Sequence, residues 1–221
     1  MSARLLIVAA LLLSTPVLQG CGPFRFLAYF LSPRQMQKAE FTFPDDARVL
    51  VMVEADRPEY DNPVFNRAMF EKLVELFREK KSNVKLVSPL EVLPLRRSNE
   101  DFATWTIQRI GRELKCDHVI YLKVDKLQVQ TTPDVQVLEP RFDARMKVIC
   151  VDHPATEARV FPPAESDDRD GRRISVTRQA DVTSDNRGID AAAIKLGKDC
   201  AHYVIGPFFE LDLEEPTPQE Q

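Results

Sequence analysis

The chain has 221 residues, 44% of them hydrophobic and 29% charged, with a formal charge of −4 at pH 7. That apolar share is enough for a sizeable core and excludes a disordered chain. The acidic balance argues against a nucleic-acid partner, because such binders carry a basic excess, and the length is that of one domain.

Met1 to Arg4 brings one cation, Leu5 to Leu13 is an unbroken apolar block, and Ser14-Thr15-Pro16 interrupts it ahead of Val17-Leu18-Gln19-Gly20-Cys21. A charged start, a short apolar core and a small residue before the cut are the layout of a secretory signal peptide. The block is too short to cross a hydrocarbon core of about 30 Å, which needs roughly 20 apolar residues. Leu18-Gln19-Gly20-Cys21 resembles the lipobox of bacterial lipoproteins. The resemblance implies that residues 1–20 are removed, that a diacylglyceryl group joins the Cys21 sulfur, and that the new amine is acylated. At ~0.8 kcal/mol per buried CH₂, one acyl chain anchors weakly and two or more anchor firmly. Two alternatives stay open: a cleaved signal peptide with a coincidental cysteine, and an uncleaved anchor helix. Phe24, Phe26, Leu27, Ala28, Tyr29, Phe30 and Leu31 prolong the apolar character past Cys21, whereas Pro16, Gly20, Gly22, Pro23 and Arg25 oppose one continuous helix.

Residues 21–46 read as a tether, its aromatics resting at headgroup level or packing onto the domain. Ala47 to Glu54 is a near-continuous apolar run, the pattern of a strand covered on both faces. Asn62-Pro63 then pairs a capping side chain with proline at the first helical position. Phe65, Met69, Leu73 and Leu76 give that helix one broad apolar face, and Glu79-Lys80-Lys81 ends it. Val84 to Val87 reads as a second strand, and Ser88 to Leu95 as a proline-punctuated stretch with room for a short helical turn. Ser98 and Asp101 resemble a capping pair opening a second helix with Ala103, Ile107, Ile110 and Leu114 on its core stripe. His118 to Val124 is a third strand. Two strand–helix–strand units in succession predict right-handed crossovers and a parallel core of three strands.

Beyond it the period changes. Phe142, Ala144, Met146, Val148 and Cys150 alternate with Arg141, Asp143, Arg145 and Lys147, a half-buried strand. It predicts an antiparallel hairpin of Val119–Val129 with Phe142–Val151 across a loop around Thr131 to Pro140. Ala158–Phe161 and Ile174–Val182 are further candidate strands. Glu165 to Arg173 between them is a solvated loop whose carboxylates lack regular Ca²⁺-loop spacing. A last helix over Asp190–Ile205 carries Ala193, Ile194, Gly197, Cys200, Ala201, Val204 and Ile205 on one stripe, with Gly197 allowing close approach to the sheet. Residues 211–221 form an acidic tail that frays.

Chemistry is harder to find. Phosphate cradles need closely spaced glycines, and seven scattered ones supply no such loop. No nucleophile elbow appears. His118, His153 and His202 stand in dissimilar contexts without an obvious nucleophile or carboxylate partner, and Cys200 with His202 reads as one core and one surface residue rather than a dyad. With Cys21 given to lipid, Cys116, Cys150 and Cys200 remain, so at most one internal disulfide is possible. Cys116-Asp117-His118 reads as a turn into a buried strand rather than a metal site. The expectation is a chain that is not an enzyme and holds no cofactor or metal. One feature suggests binding: Phe102, Trp105 and Arg109 share a side of the second helix, and Trp and Arg are favoured interface anchors. The competing reading, which the sequence favours, is that Leu90, Val92 and Leu93 cover this side as a satellite core.

Strand, helix, strand, helix, then Glu113-Leu114-Lys115-Cys116-Asp117-His118-Val119-Ile120-Tyr121, resembles the periplasmic α/β domain of curli-secretion-type lipoproteins, penicillin-binding-protein activator lipoproteins and the N-terminal domain of the Tol translocation protein. Those families often carry Gly-Ala where Lys115-Cys116 stands. The resemblance covers Ala47 to Phe208 and implies a non-enzymatic envelope lipoprotein that docks a partner.

The sequence therefore predicts an α/β domain (mixed α+β, three layers) with a mixed sheet, two strand–helix–strand crossovers, an antiparallel hairpin and a C-terminal helix. Its organisation is a signal peptide over 1–20, a lipidated Cys21 and tether over 21–46, one domain over 47–210, and a tail. Its function is that of a lipid-anchored protein-binding module in the bacterial cell envelope, on the exported side, with an envelope protein as partner. A self-assembling subunit using the hairpin around Thr131 is the first alternative, and a hydrolase or ligand-binding enzyme the second.

Overall fold

A computed structural model describes residues 36–129, 139–178 and 186–212. The described residues from 37 to 211 belong to one compact unit, and the fold below is that of this unit. Cys21 and the lipobox, the aromatic run 24–31, most of the loop around Thr131 and the tail past Asp212 lie outside the described residues.

The apolar run after Ala47 forms strand β1, Arg48–Ala55, with Val49 to Met52 buried on both faces. Helix α1, Pro63–Glu79, starts where the sequence places it: Asn62 Oδ1 accepts from the backbone N–H of Val64 and of Phe65, each at 3.0 Å. Phe65, Met69, Leu73 and Leu76 are all buried. Strand β2, Lys85–Val87, runs parallel to β1.

The next segment departs from expectation. Helix α2 spans Val92–Ser98, so Ser98 closes a helix rather than opening one, its hydroxyl donating back to Pro94 O. A 3₁₀ turn at Phe102–Thr104 follows, Trp105 is extended, and Thr106 is the true cap, accepting from Arg109 N–H at 3.2 Å. Helix α3 is thus only Ile107–Glu113. The extended Trp105 breaks the helical period, so Ala103 ends exposed and Phe102 buried, the reverse of the predicted stripe. Lys115 has φ of 53° just past the end of α3, the left-handed position glycine favours after a helix. Lys115→Gly is therefore expected to raise stability by about 0.5–1 kcal/mol, read as a higher urea midpoint at unchanged slope.

Strand β3, His118–Gln128, lies parallel to β1 on its other side, and β4, Arg141–Cys150, pairs antiparallel with β3. The predicted parallel trio and hairpin are both present. Strands β5, Arg159–Phe161, and β6, Arg172–Thr177, each pair antiparallel with β4, giving the order β2-β1-β3-β4-β5 with β6 also on β4. Helix α4, Asn186–Ile205, packs on α1.

Alternation along the strands makes three layers. Val49, Val51, Ile120, Leu122, Phe142 and Met146 meet α1 and α4 on one face, while Leu50, Met52, Val119 and Val151 meet Val92, Phe102 and Ile110 on the other. Two details of α4 differ from expectation. Ile194 is 39% exposed and Leu196 takes its place in the core. Gly197 approaches α1 rather than the sheet, since a Cβ there would stand 2.7 Å from Phe65 O and 3.1 Å from Met69 N.

A candidate docking trough at the strand ends

The chain leaves β1 for β2 through α1 on one face, then returns over the other face through α2 and α3 to reach β3. The strand order reverses at β1, and in such sheets ligands sit in the crevice beyond the carboxyl ends at the reversal. That crevice is present. An open trough of about 410 Å³ lies between the first turns of α1 and the segment Ser88–Arg96. Its floor is Met52 and Val53, its walls Phe70 and Pro89, and its rim Leu90 and Leu93. Leu90 is 57% exposed and Leu93 40%. These two therefore do not cover a satellite core as the sequence suggested; only Val92 does.

Beside the trough, sharing Met52 and Arg96 with it, is a recess of about 400 Å³ that includes Glu54, Phe102 and Trp105. Here the structure brings together the three residues singled out in the sequence. Trp105 packs on Phe102 with ring centroids 5.4 Å apart, and the Arg109 guanidinium lies 3.9 Å over the indole. A second guanidinium, Arg96, covers Phe102 at 5.4 Å. Phe102 itself is buried, so it supports the platform rather than presenting a surface. Trp105 Nε1 is buried without a well-formed hydrogen bond. The Asp101 carboxyl is nonetheless held below its ordinary range, by the neighbouring indole N–H first and by Arg109, whose Nη1 lies 3.4 Å away. Stacked arginine and tryptophan form a rigid, amphipathic ledge, a surface suited to recognition.

A third concavity, about 480 Å³ over β4 and β6, is charged rather than apolar. A register shift in β3 between Val124 and Lys126 frames Asp125, which takes a fork from Arg145, Nε to Oδ2 being 2.9 Å. Arg141 Nε donates to Asp143 Oδ2 at 2.6 Å, and Ser175 Oγ donates to Asp143 Oδ1 at 2.7 Å. Burial raises the Asp143 carboxyl, but these two donors outweigh it and leave the group below its usual range. Asp143 is thereby locked as an acceptor and poorly suited to act as a general acid.

Among the described residues the thiols and His202 do not converge on one site. Burial pushes the Cys116 thiol up and the Cys200 thiol well up, so neither is an activated nucleophile. Among the described residues Cys116, Cys150 and Cys200 form no disulfide. His202 sits half-buried on α4, its pKa lowered by burial and by Lys72. Among the described residues no three His, Cys, Asp or Glu side chains group as metal ligands, and no helix is long and apolar enough to cross a membrane.

The trough itself was missed in the sequence. Its one local signal is the pair Leu90 and Leu93, three apart in a segment too short and too proline-rich to bury both. Its other walls come from β1 and α1, far away along the chain.

The sequence matches no described protein family and no curated protein. Among solved structures the chain is similar to a PelC dodecamer subunit from Paraburkholderia phytofirmans, at 12% identity and a TM-score of 0.36, covering 80% of this chain and 99% of that one. It is similar to lipoprotein GNA1162 from Neisseria meningitidis, at 12% identity and a TM-score of 0.37, covering 67% and 93%. A third likeness is protein XCC0632 from Xanthomonas campestris, at 11% identity and a TM-score of 0.41, covering 78% and 91%. At such distances no activity, partner or assembly of this chain follows from them.

Proposed function

We propose that this protein is a lipid-anchored, non-catalytic docking module of the bacterial cell envelope, held to a membrane through Cys21 and binding an envelope protein partner. The anchor rests on the lipobox Leu18-Gln19-Gly20-Cys21. Docking rests on one observation, the open apolar trough whose rim residues Leu90 and Leu93 are exposed. Monomeric surfaces scatter such residues singly; a cluster beside a cavity marks an interaction site. The Trp105–Arg109 ledge extends that surface, with Phe102 beneath it. The chemistry found elsewhere in the fold, a locked carboxylate and buried thiols, gives no support to the hydrolase alternative.

The test is comparative capture from solubilised membranes. Replacing Leu90 and Leu93 together by Asp is expected to cut partner recovery at least tenfold, because desolvating two unpaired carboxylates at the rim costs about 2 kcal/mol or more. Ile194→Asp, a change on α4 at a residue about as exposed as Leu93, should leave recovery unchanged. Equal capture by all three proteins would remove the trough from the account. The self-assembly alternative makes a different demand: the soluble Cys21→Ser protein would have to form oligomers on its own, whereas the docking reading expects a monomer.

A further inference from the structure

His118 opens β3 and is the one polar side chain that is buried among the described residues, at 8% exposure. Its Nδ1 has no hydrogen-bond partner among those residues, although buried polar groups normally have one. What faces it is aromatic. The Phe43 ring lies 5.6 Å from the imidazole and the Phe41 ring 6.1 Å, each steeply inclined to it at 80° and 62°. These two rings belong to the segment that leads into the domain, and they pack in turn on Phe208, Phe77 and Phe161. The segment has few other fastenings. Glu40 N–H and Phe41 N–H both donate to Pro207 O, at 2.8 and 3.1 Å, and Arg172 pairs with Glu40 at 2.8 Å.

We propose that Glu40–Phe43 is an acid-released latch, closed over a neutral His118 and opened when that imidazole takes up a proton. A cation covered on one side by two adjoining phenylalanine rings, with one nitrogen unpaired and little water, is costly, and the cheapest relief is for the rings to leave. The surrounding charges do not remove this cost. Burial holds the imidazole below its ordinary value, His153 adds to that, and Asp117 and Asp152 only oppose it. Asp117 is engaged by Arg48 N–H at 2.7 Å, Glu40 is engaged by Arg172, and Asp46 pairs with Lys85 at 3.3 Å. Phe77, Phe161 and Phe208 bring no charge.

The sign is fixed by linkage. The open state binds the proton at the ordinary value of 6.5 and the closed state more weakly, so closure is complete above 6.5 and is lost as pH falls below it. One proton shifts the equilibrium by at most tenfold per pH unit, hence by no more than about 30-fold between pH 6.5 and 5.0. Release would free the stretch from Lys38 to Asp46, adding roughly 30 Å of reach at about 3.4 Å per residue. That consequence rests on the membrane anchor proposed above; the latch does not.

Hydrogen exchange on the full chain tests it, with rates corrected for the intrinsic effect of pH. Protection of the Glu40 and Phe41 amides should fall several-fold to 30-fold from pH 7.5 to 5.0, while Val51 in β1 holds. His118→Gln should abolish the response. A readout that does not need this variant to fold is the imidazole titration itself. Phe41→Ala, by opening the cage, should move the His118 midpoint up toward 6.5. Arm protection indifferent to pH in the wild type, or a His118 midpoint unmoved by Phe41→Ala, would overturn the latch whether or not the protein is lipidated.

Discussion

Phe65→Ala should destabilise the domain by about 3–5 kcal/mol, the range for removing a large aromatic side chain from a packed core. Phe65 is fully buried on α1 and packs on Phe142 of β4 with centroids 4.9 Å apart. It therefore ties the helix of the first crossover to the strand of the later hairpin. Its backbone carbonyl is also the atom against which Gly197 of α4 rests. Those neighbours cannot collapse far into the void, because α1 and α4 are already at the closest approach a glycine permits. A cavity that does not close keeps the cost at the upper end of the range. Since domains of this size are stable by only 5–15 kcal/mol, the variant should unfold at much lower urea, and a loss under 1 kcal/mol would contradict the packing described.

The second large effect concerns location. Cys21→Ser should move the protein from the membrane fraction to the soluble exported fraction almost completely. A thioether-linked diacylglyceryl group and an amide-linked chain together bury dozens of CH₂ groups at ~0.8 kcal/mol each, far beyond the marginal hold of one chain. Serine at this position offers no sulfur for the diacylglyceryl transfer, so every acyl chain is lost at once. Fractionation with and without detergent is the measurement. Retention of Cys21→Ser in the membrane would favour the uncleaved-helix alternative or a second membrane contact.

Both effects stand on features of different legibility. Helix α1 could be read residue by residue, because Asn62-Pro63 and the Phe65–Leu76 spacing are local and agree. Strand β4 was equally plain, its period of two surviving every register. The stretch from Ser98 to Leu114 was not. Ser98 and Asp101 mimic a capping pair, yet Thr106 wins the role because Trp105 takes an extended backbone and restarts the count. Any face assigned across that break, Ala103 with Ile107 or Phe102 with Arg109, had no common axis. Phe102, Trp105 and Arg109 still meet, but through a 3₁₀ turn folded over the start of α3 rather than along one helix. Gly197 signalled a close approach without saying to what. The trough draws on β1, α1 and the Pro89–Arg96 segment, and no window of sequence spans them. His118 looked like a strand entry, which it is; that its nitrogen is buried against Phe41 and Phe43 depends on a contact across more than 70 residues.

The docking claim is tested most directly by a photo-crosslinking residue placed at Leu93, at the rim of the trough, in the lipidated protein within cells. Irradiation should give one discrete adduct to a single envelope protein, lost when Leu90 is changed to Asp and absent when the label sits at Ile194. No adduct at Leu93, or the same adducts from both positions, would contradict the reading of this protein as a trough-bearing docking module.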